Sequence, residues 1–180
     1  MIDTVKEKLR LAHVKRWNIV RVGREQTVAE HSYLVWVITG EMLRYSGFTE
    51  ADKQQALRWA LAHDQPEAIF GDIPTPTKLT LDAWEDELKM KVAERCPYWA
   101  EAYTETVAQN PQIIDFVKMA DLAEAIWFLR DEGIGEHARA VLKLLRRQLV
   151  DRVERATFVA DIRGLRDFLF SLTGEYTDEN

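Results

Sequence analysis

Thr27-Val28-Ala29-Glu30-His31-Ser32-Tyr33-Leu34-Val35-Trp36-Val37-Ile38-Thr39-Gly40-Glu41-Met42-Leu43 decides the fold class. Thr27 followed by Glu30 is a capping-box pattern: the hydroxyl accepts from the backbone of Glu30, and the Glu30 side chain returns to Thr27. Behind it Val28, Val35, Ile38, Met42 and Leu43 recur at helical spacing until Gly47. The same period extends in both directions. Ile2, Val5, Leu9 and Ala12 lie upstream, and a third helix starts after Thr49 and runs through Leu57, Ala60 and Leu61. Pro66 disfavours helical geometry at Gln65, so this helix ends or kinks near Asp64. Gly71-Asp72-Ile73-Pro74-Thr75-Pro76-Thr77-Lys78 cannot be regular helix, having two prolines two residues apart. Helix resumes near Leu81, breaks at Pro97 and continues to about Gln109. Asn110-Pro111 caps and opens a further helix, through Ile113, Ile114, Val117 and Leu122 to about Arg130. Gly133 and Gly135 interrupt before helices over roughly 136–155 and 158–173. No segment alternates like a strand. The chain is expected to be all-α, one domain over 1–174 with a polar tail over 175–180.

A chain of 180 residues, 47% hydrophobic with eight Gly and five Pro, can bury a sizeable core and is not a disordered or fibrous sequence. The lone Cys96 allows no internal disulfide and no zinc ribbon. No apolar run approaches a membrane span, and the charged N-terminus has no signal-peptide core, so a cytoplasmic protein without a membrane partner is expected. A net charge of −6 argues against a polymeric nucleic-acid partner, which needs a concentrated basic face. The run Lys15, Arg16, Arg21, Arg24 reads most simply as a solvated surface. No Gly-rich phosphate loop is present, which removes the P-loop mechanism.

His31, the adjacent His63-Asp64 and Asp121 each interrupt apolar helical surroundings. A carboxylate buried there is costly unless it is paired or bound to a cation. Two imidazoles and two carboxylates make a ligand set for a divalent transition metal with positions left for water and substrate. Singly, each also reads as a satisfied core or surface residue. Glu67 stands three residues after Asp64 and four after His63, which puts it on their face if helical geometry persists past the kink. A carboxylate capping a short helix is the plainer alternative. Asp72 either orients water or caps the turn before Ile73-Pro74. Arg16-Trp17 pairs a fork for phosphate with a flat face for a base, or a solvated cation with a core indole. His13, His137 and the remaining tryptophans carry no ligand pattern.

The ordered set His31…His63-Asp64…Asp121 resembles the HD-domain phosphohydrolases, an all-helical metal-dependent superfamily. The resemblance narrows to the branch of bacterial 5′-deoxynucleotidases and phage dATP triphosphohydrolases. It is carried by Arg16-Trp17, Thr27-Val28-Ala29-Glu30-His31-Ser32, His63-Asp64-Gln65-Pro66-Glu67 and Gly71-Asp72-Ile73-Pro74-Thr75-Pro76-Thr77-Lys78. It implies a helical HD bundle, with His31, His63, Asp64 and Asp121 as metal ligands and Glu67 handling the proton of the attacking water or leaving group. Arg16 and Trp17 would surround the nucleotide, with Lys78 and Lys118 on the phosphates. Ile19 and Gln26 resemble positions of the compact adenine pocket, where an apolar Ile disfavours guanine's amino group, and Pro76 closes another side. Ile19 as an ordinary core residue is the alternative.

The resemblance implies a dATP triphosphohydrolase that releases deoxyadenosine and triphosphate, emptying the dATP pool of phages that use 2-aminoadenine. A 5′-deoxynucleotidase acting on dNMPs is the neighbouring reading, and a catalytically silent nucleotide-binding module is one of another class. His/Asp ligation suits zinc, cobalt, manganese or iron and admits magnesium. The family is typically oligomeric, which implies a homo-oligomer, dimer or hexamer.

Overall fold

The computed structural model describes residues 2–74 and 85–174. Nine helices lie among these residues: α1 (Ile2–Leu9), α2 (Val28–Met42), α3 (Glu50–Ala62), α4 (Glu67–Phe70), α5 (Glu85–Arg95), α6 (Pro97–Gln109), α7 (Gln112–Glu132), α8 (Gly135–Arg155) and α9 (Ile162–Thr173). Short 3-10 turns extend α1 over Arg10–Ala12 and α2 over Leu43–Tyr45. Among the described residues β structure is limited to isolated bridges, as an all-α sequence requires.

The fold is built around α7. A helix apolar on every face belongs inside a bundle. Ile113, Phe116, Val117, Met119, Ala120, Leu122, Ala123, Ile126, Phe128 and Leu129 are all buried. Helices α2, α3, α8 and α9 pack around it. Asn110 caps its start, Oδ1 accepting from Gln112 N–H at 3.1 Å, with Pro111 at φ −61°. Asp121 and Glu124 are the acidic side chains buried on this helix.

Two local readings need correction. Thr27 caps α2 by accepting from Glu30 N–H at 3.2 Å, but the Glu30 carboxylate pairs with Arg24 at 2.7 Å. The reciprocal box forms instead at Thr49 and Asp52, opening α3. Helix α9 starts at Ile162 and not near 158, because Asp161 accepts from Gly164 N–H at 2.9 Å and donates its own N–H to Tyr45 O at 3.0 Å. Val159 is already engaged in a bridge to Ser46.

The loop between Ala12 and α2 is pinched at its ends by the Lys15–Thr27 bridge, with Arg16 N–H donating to Gln26 O at 2.9 Å. Its far side is pinned to the end of α7 by Gly23 N–H on Glu132 O at 2.8 Å and Ile134 N–H on Arg21 O at 2.9 Å. Such closed loops hold side chains in fixed places although they lack regular structure. This one presents Arg16, Trp17 and Ile19.

Candidate active site

His31 lies one turn into α2, and its side chain is fully buried. His63 is the residue on which α3 stops, and Asp64 follows in the turn to α4. His63 Nδ1 is 2.8 Å from Ala60 O, so the ring hydrogen sits on Nδ1 and Nε2 keeps its lone pair. His31 Nδ1 lies against an Arg16 guanidinium nitrogen and is 2.5 Å from Glu124 Oε2; donation to this buried carboxylate puts the ring hydrogen on Nδ1 here too. Both Nε2 atoms are buried without a hydrogen-bond partner. Donor atoms of His31, His63 and Asp64 lie within 4.8 Å of one another. Asp64 Oδ2 is 3.4 Å from each Nε2, and Asp121 Oδ1 is 3.2 Å from that of His31. Two orphaned imidazole lone pairs facing two carboxylates fit a divalent transition metal, which these four residues could hold.

The local charge agrees. Burial pushes the Asp64 carboxyl upward, but His63 and His31 overcome it and hold the group below the usual carboxylate range. Asp121 is likewise raised by burial and lowered further by Lys118, which donates to its Oδ2, and by His31. Burial and the Arg16 charge press the His31 imidazole down, yet the carboxylates of Asp121, Asp64 and Glu124 around it carry it up to about 10. Burial keeps His63 below its ordinary value. The carboxylates that would favour a second proton on the His31 imidazole offer the same attraction to a dication in its place.

A cavity of about 620 Å³ opens over this cluster. Arg16, Trp17, Ile19, Asp64, Glu67, Asp72, Lys118 and Asp121 line it, which brings most of the predicted residues together. The turn after α3 stays coiled, with Glu67 N–H on Asp64 O at 3.0 Å, so Glu67 opens α4 beside Asp64 although the α-helix itself stops at Ala62. Gly71, at φ 75°, ends α4 in the left-handed region open to glycine and turns Asp72, Ile73 and Pro74 into the cavity wall. Ile19 is 52% exposed and lines the cavity, so it is not a core residue. Trp17 stacks on Phe128 with centroids 5.8 Å apart and planes 2° from parallel. Pro76 and Lys78 lie outside the described residues.

Gln26 departs from expectation. It is fully buried and does not reach the cavity: Nε2 donates to Glu124 at 2.5 Å, and Oε1 accepts from Trp17 Nε1–H at 2.9 Å. It stands behind the tryptophan, bonded to the indole N–H. Sequence reasoning also missed Glu124, whose only signal was a second acid one turn past Asp121 in an apolar stretch. Gln148, Arg152 and Arg155 of α8 line the far end of the cavity, and they too read only as the polar face of an amphipathic helix. His137 is exposed, as expected, but at the cavity rim.

The model of the family described as 5′-deoxynucleotidase YfbR-like matches residues 6–128. The chain belongs to the YfbR-like family. The match spans the loop of Arg16, His31, His63, Asp64, Asp121 and α7 as far as Phe128. The chain is 33% identical to the dATP triphosphohydrolase of Cyanophage S-2L over 172 residues, covering 93% of each. It is 34% identical over 147 residues to that of Salmonella phage PMBT28, covering 77% of this chain and 72% of the relative. Among solved structures it is similar to the Cyanophage S-2L HD phosphohydrolase DatZ bound to dA and one catalytic Zn²⁺ ion. The TM-score is 0.82 at 32% identity, covering 93% of this chain and 94% of DatZ. The PH0347 protein from Pyrococcus horikoshii OT3 superposes with a TM-score of 0.68 at 26% identity, covering 96% and 98%. The YfbR-like helical fold therefore extends past the matched segment through α8 and α9. Among the described residues no helix is long and apolar enough to cross a membrane.

Proposed function

We infer that this chain is a divalent-metal-dependent phosphohydrolase that cleaves dATP to deoxyadenosine and triphosphate. The observation that carries the reading is the pair of buried, unpartnered Nε2 atoms of His31 and His63 beside Asp64 and Asp121, two carboxylates that line the cavity. These four residues would hold the metal, zinc by analogy with DatZ, with cobalt or manganese as substitutes. When bound, such an ion acidifies water and polarises a phosphoryl oxygen. Water adds to the α-phosphorus, the bond to O5′ breaks, and a proton passes from the water to O5′. Glu67, buried beside Asp64, is placed to move that proton. Trp17 offers its ring to the base, and Arg16 and Lys118 face the phosphates. Arg152 and Arg155 line the same cavity as Lys118, which supports a chain longer than one phosphate.

The family description favours a second reading, a 5′-deoxynucleotidase acting on monophosphates. Product analysis separates the two. Purified protein with Co²⁺ is expected to yield deoxyadenosine and intact triphosphate from dATP. Orthophosphate from several dNMPs, with dNTPs untouched, would move the assignment to the nucleotidase. Binding without turnover of either would leave a silent nucleotide-binding module.

Base preference rests on Ile19. An exposed isoleucine at a cavity wall occupies space that guanine's amino group would need, and it offers that group no acceptor. Ile19→Ala is expected to raise dGTP turnover relative to dATP by about tenfold, the scale of a methylene-sized fit in an apolar pocket. An unchanged ratio in competition assays would remove Ile19 from the pocket. The chain is further read as a cytoplasmic homo-oligomer, with Tyr33, Trp36 and Val37 exposed along one face of α2 as an assembly surface. Tyr33 and Trp36 stack there with centroids 6.0 Å apart.

A further inference from the structure

We propose that Glu124 and Gln26 form a buried strut tying the metal-facing imidazole of His31 to the Trp17 ring, so that occupation of either end tightens binding at the other. The proposal rests on the reading of a metal at His31 and a base at Trp17.

Glu124 enters from α7 one turn beyond Asp121, and no part of it reaches solvent. An ionised carboxylate in such a place is tolerated only when its oxygens are saturated. Here they are. Oε2 is 2.5 Å from His31 Nδ1 and 3.1 Å from an Arg16 guanidinium nitrogen, and Oε1 accepts from Gln26 Nε2 at 2.5 Å.

The directions of these bonds follow from chemistry. A carboxylate accepts and does not donate. Gln26 must therefore turn its amide nitrogen toward Glu124, which leaves Oε1 at the opposite end for the Trp17 indole N–H at 2.9 Å. His31 must carry hydrogen on Nδ1, which leaves Nε2 for a cation. One buried carboxylate thus sets both the histidine tautomer and the amide orientation that holds the indole.

Trp17 needs such support. Its φ of 65° is a left-handed backbone conformation that a bulky aromatic residue adopts only when its surroundings impose it. The ring is fixed by Phe128 on a face and by Gln26 at its N–H. A cation on His31 Nε2 polarises the Nδ1–H bond and strengthens its hold on Glu124, and bonds linked in a chain reinforce one another. Coupling of this kind is reciprocal, so a base seated on Trp17 returns the same factor to the metal. Glu124 and Gln26 are positioning residues, because neither touches a reacting atom.

The test is titration calorimetry of Co²⁺ into the metal-free full chain, with and without saturating 2′,5′-dideoxyadenosine. This nucleoside keeps the base but has no 5′ oxygen to reach a metal. Wild-type protein is expected to bind Co²⁺ about fivefold or more tightly when the nucleoside is present, the lower end of typical couplings. Gln26→Met removes the strut while leaving every proposed ligand in place, and Trp17→Phe removes the N–H link while keeping a smaller aromatic ring. In both variants the ratio of Co²⁺ affinities should fall toward one. A merely structural role for Gln26 would alter stability without moving that ratio. Trp17→Phe keeps the test decisive if Gln26→Met folds poorly. Wild-type protein that binds Co²⁺ and nucleoside independently overturns the strut and leaves the phosphohydrolase reading standing, as does a ratio retained in the variants. Failure of wild-type protein to bind either probe overturns both.

Discussion

Asp64→Ala is expected to take Co²⁺-dependent release of triphosphate from dATP to background, a fall of about 10³-fold or more, while the helical fold survives. Asp64 Oδ2 is 3.4 Å from both unpartnered Nε2 atoms, so it is the carboxylate to which both imidazoles turn. Its charge holds in spite of burial, because His63 and His31 favour the ionised form. Alanine removes that charge and leaves two lone pairs with Asp121 alone opposite them. A metal supplies several kcal/mol of charge stabilisation, and each 1.36 kcal/mol is a factor of ten in rate. Metal analysis of the purified variant should show the bound ion lost together with turnover. The core around α7 does not depend on Asp64, so the far-UV circular dichroism spectrum should match that of wild-type protein. A variant that keeps its metal and its rate would exclude Asp64 from the ligand set.

The bundle was legible because its signals are local. Proline at 66, the Asn110-Pro111 start and the apolar period of 113–129 each act within a turn or two. His31, His63, Asp64 and Asp121 were legible as polar interruptions of apolar helical stretches. What escaped depends on distant partners. Glu124 is explained only by Gln26, His31 and Arg16, 98, 93 and 108 residues away. Gln26 was expected against the base because it resembles a position of the adenine pocket in the phage dATP triphosphohydrolases. Its amide is instead drawn inward by a carboxylate that no local pattern connects to it. Arg152 reads as solvated surface until Asp115 of α7, 2.5 Å away, places it at the end of the cavity. The start of α9 was misjudged for the same reason, since Asp161 is held by Tyr45 across the bundle.

Two acidic residues three positions apart should separate cleanly by experiment. Glu67→Gln is expected to lower kcat by about 10²–10⁴-fold, the usual contribution of a positioned general acid or base, while metal content stays at the wild-type level. Glu67 opens α4 on a backbone hydrogen bond to Asp64, lies buried, and lines the cavity that holds Asp64 and Asp121. Glutamine keeps its volume and its capacity to hydrogen-bond but cannot carry a proton from water to O5′. KM for dATP should change little, because the loss falls on the transition state and not on the bound substrate. Asp64→Ala would empty the site, whereas Glu67→Gln would leave it loaded and slow. If Glu67→Gln instead lost metal in step with rate, Glu67 would belong with the ligands and proton transfer would need another group, with Asp72 on the same wall the next to test.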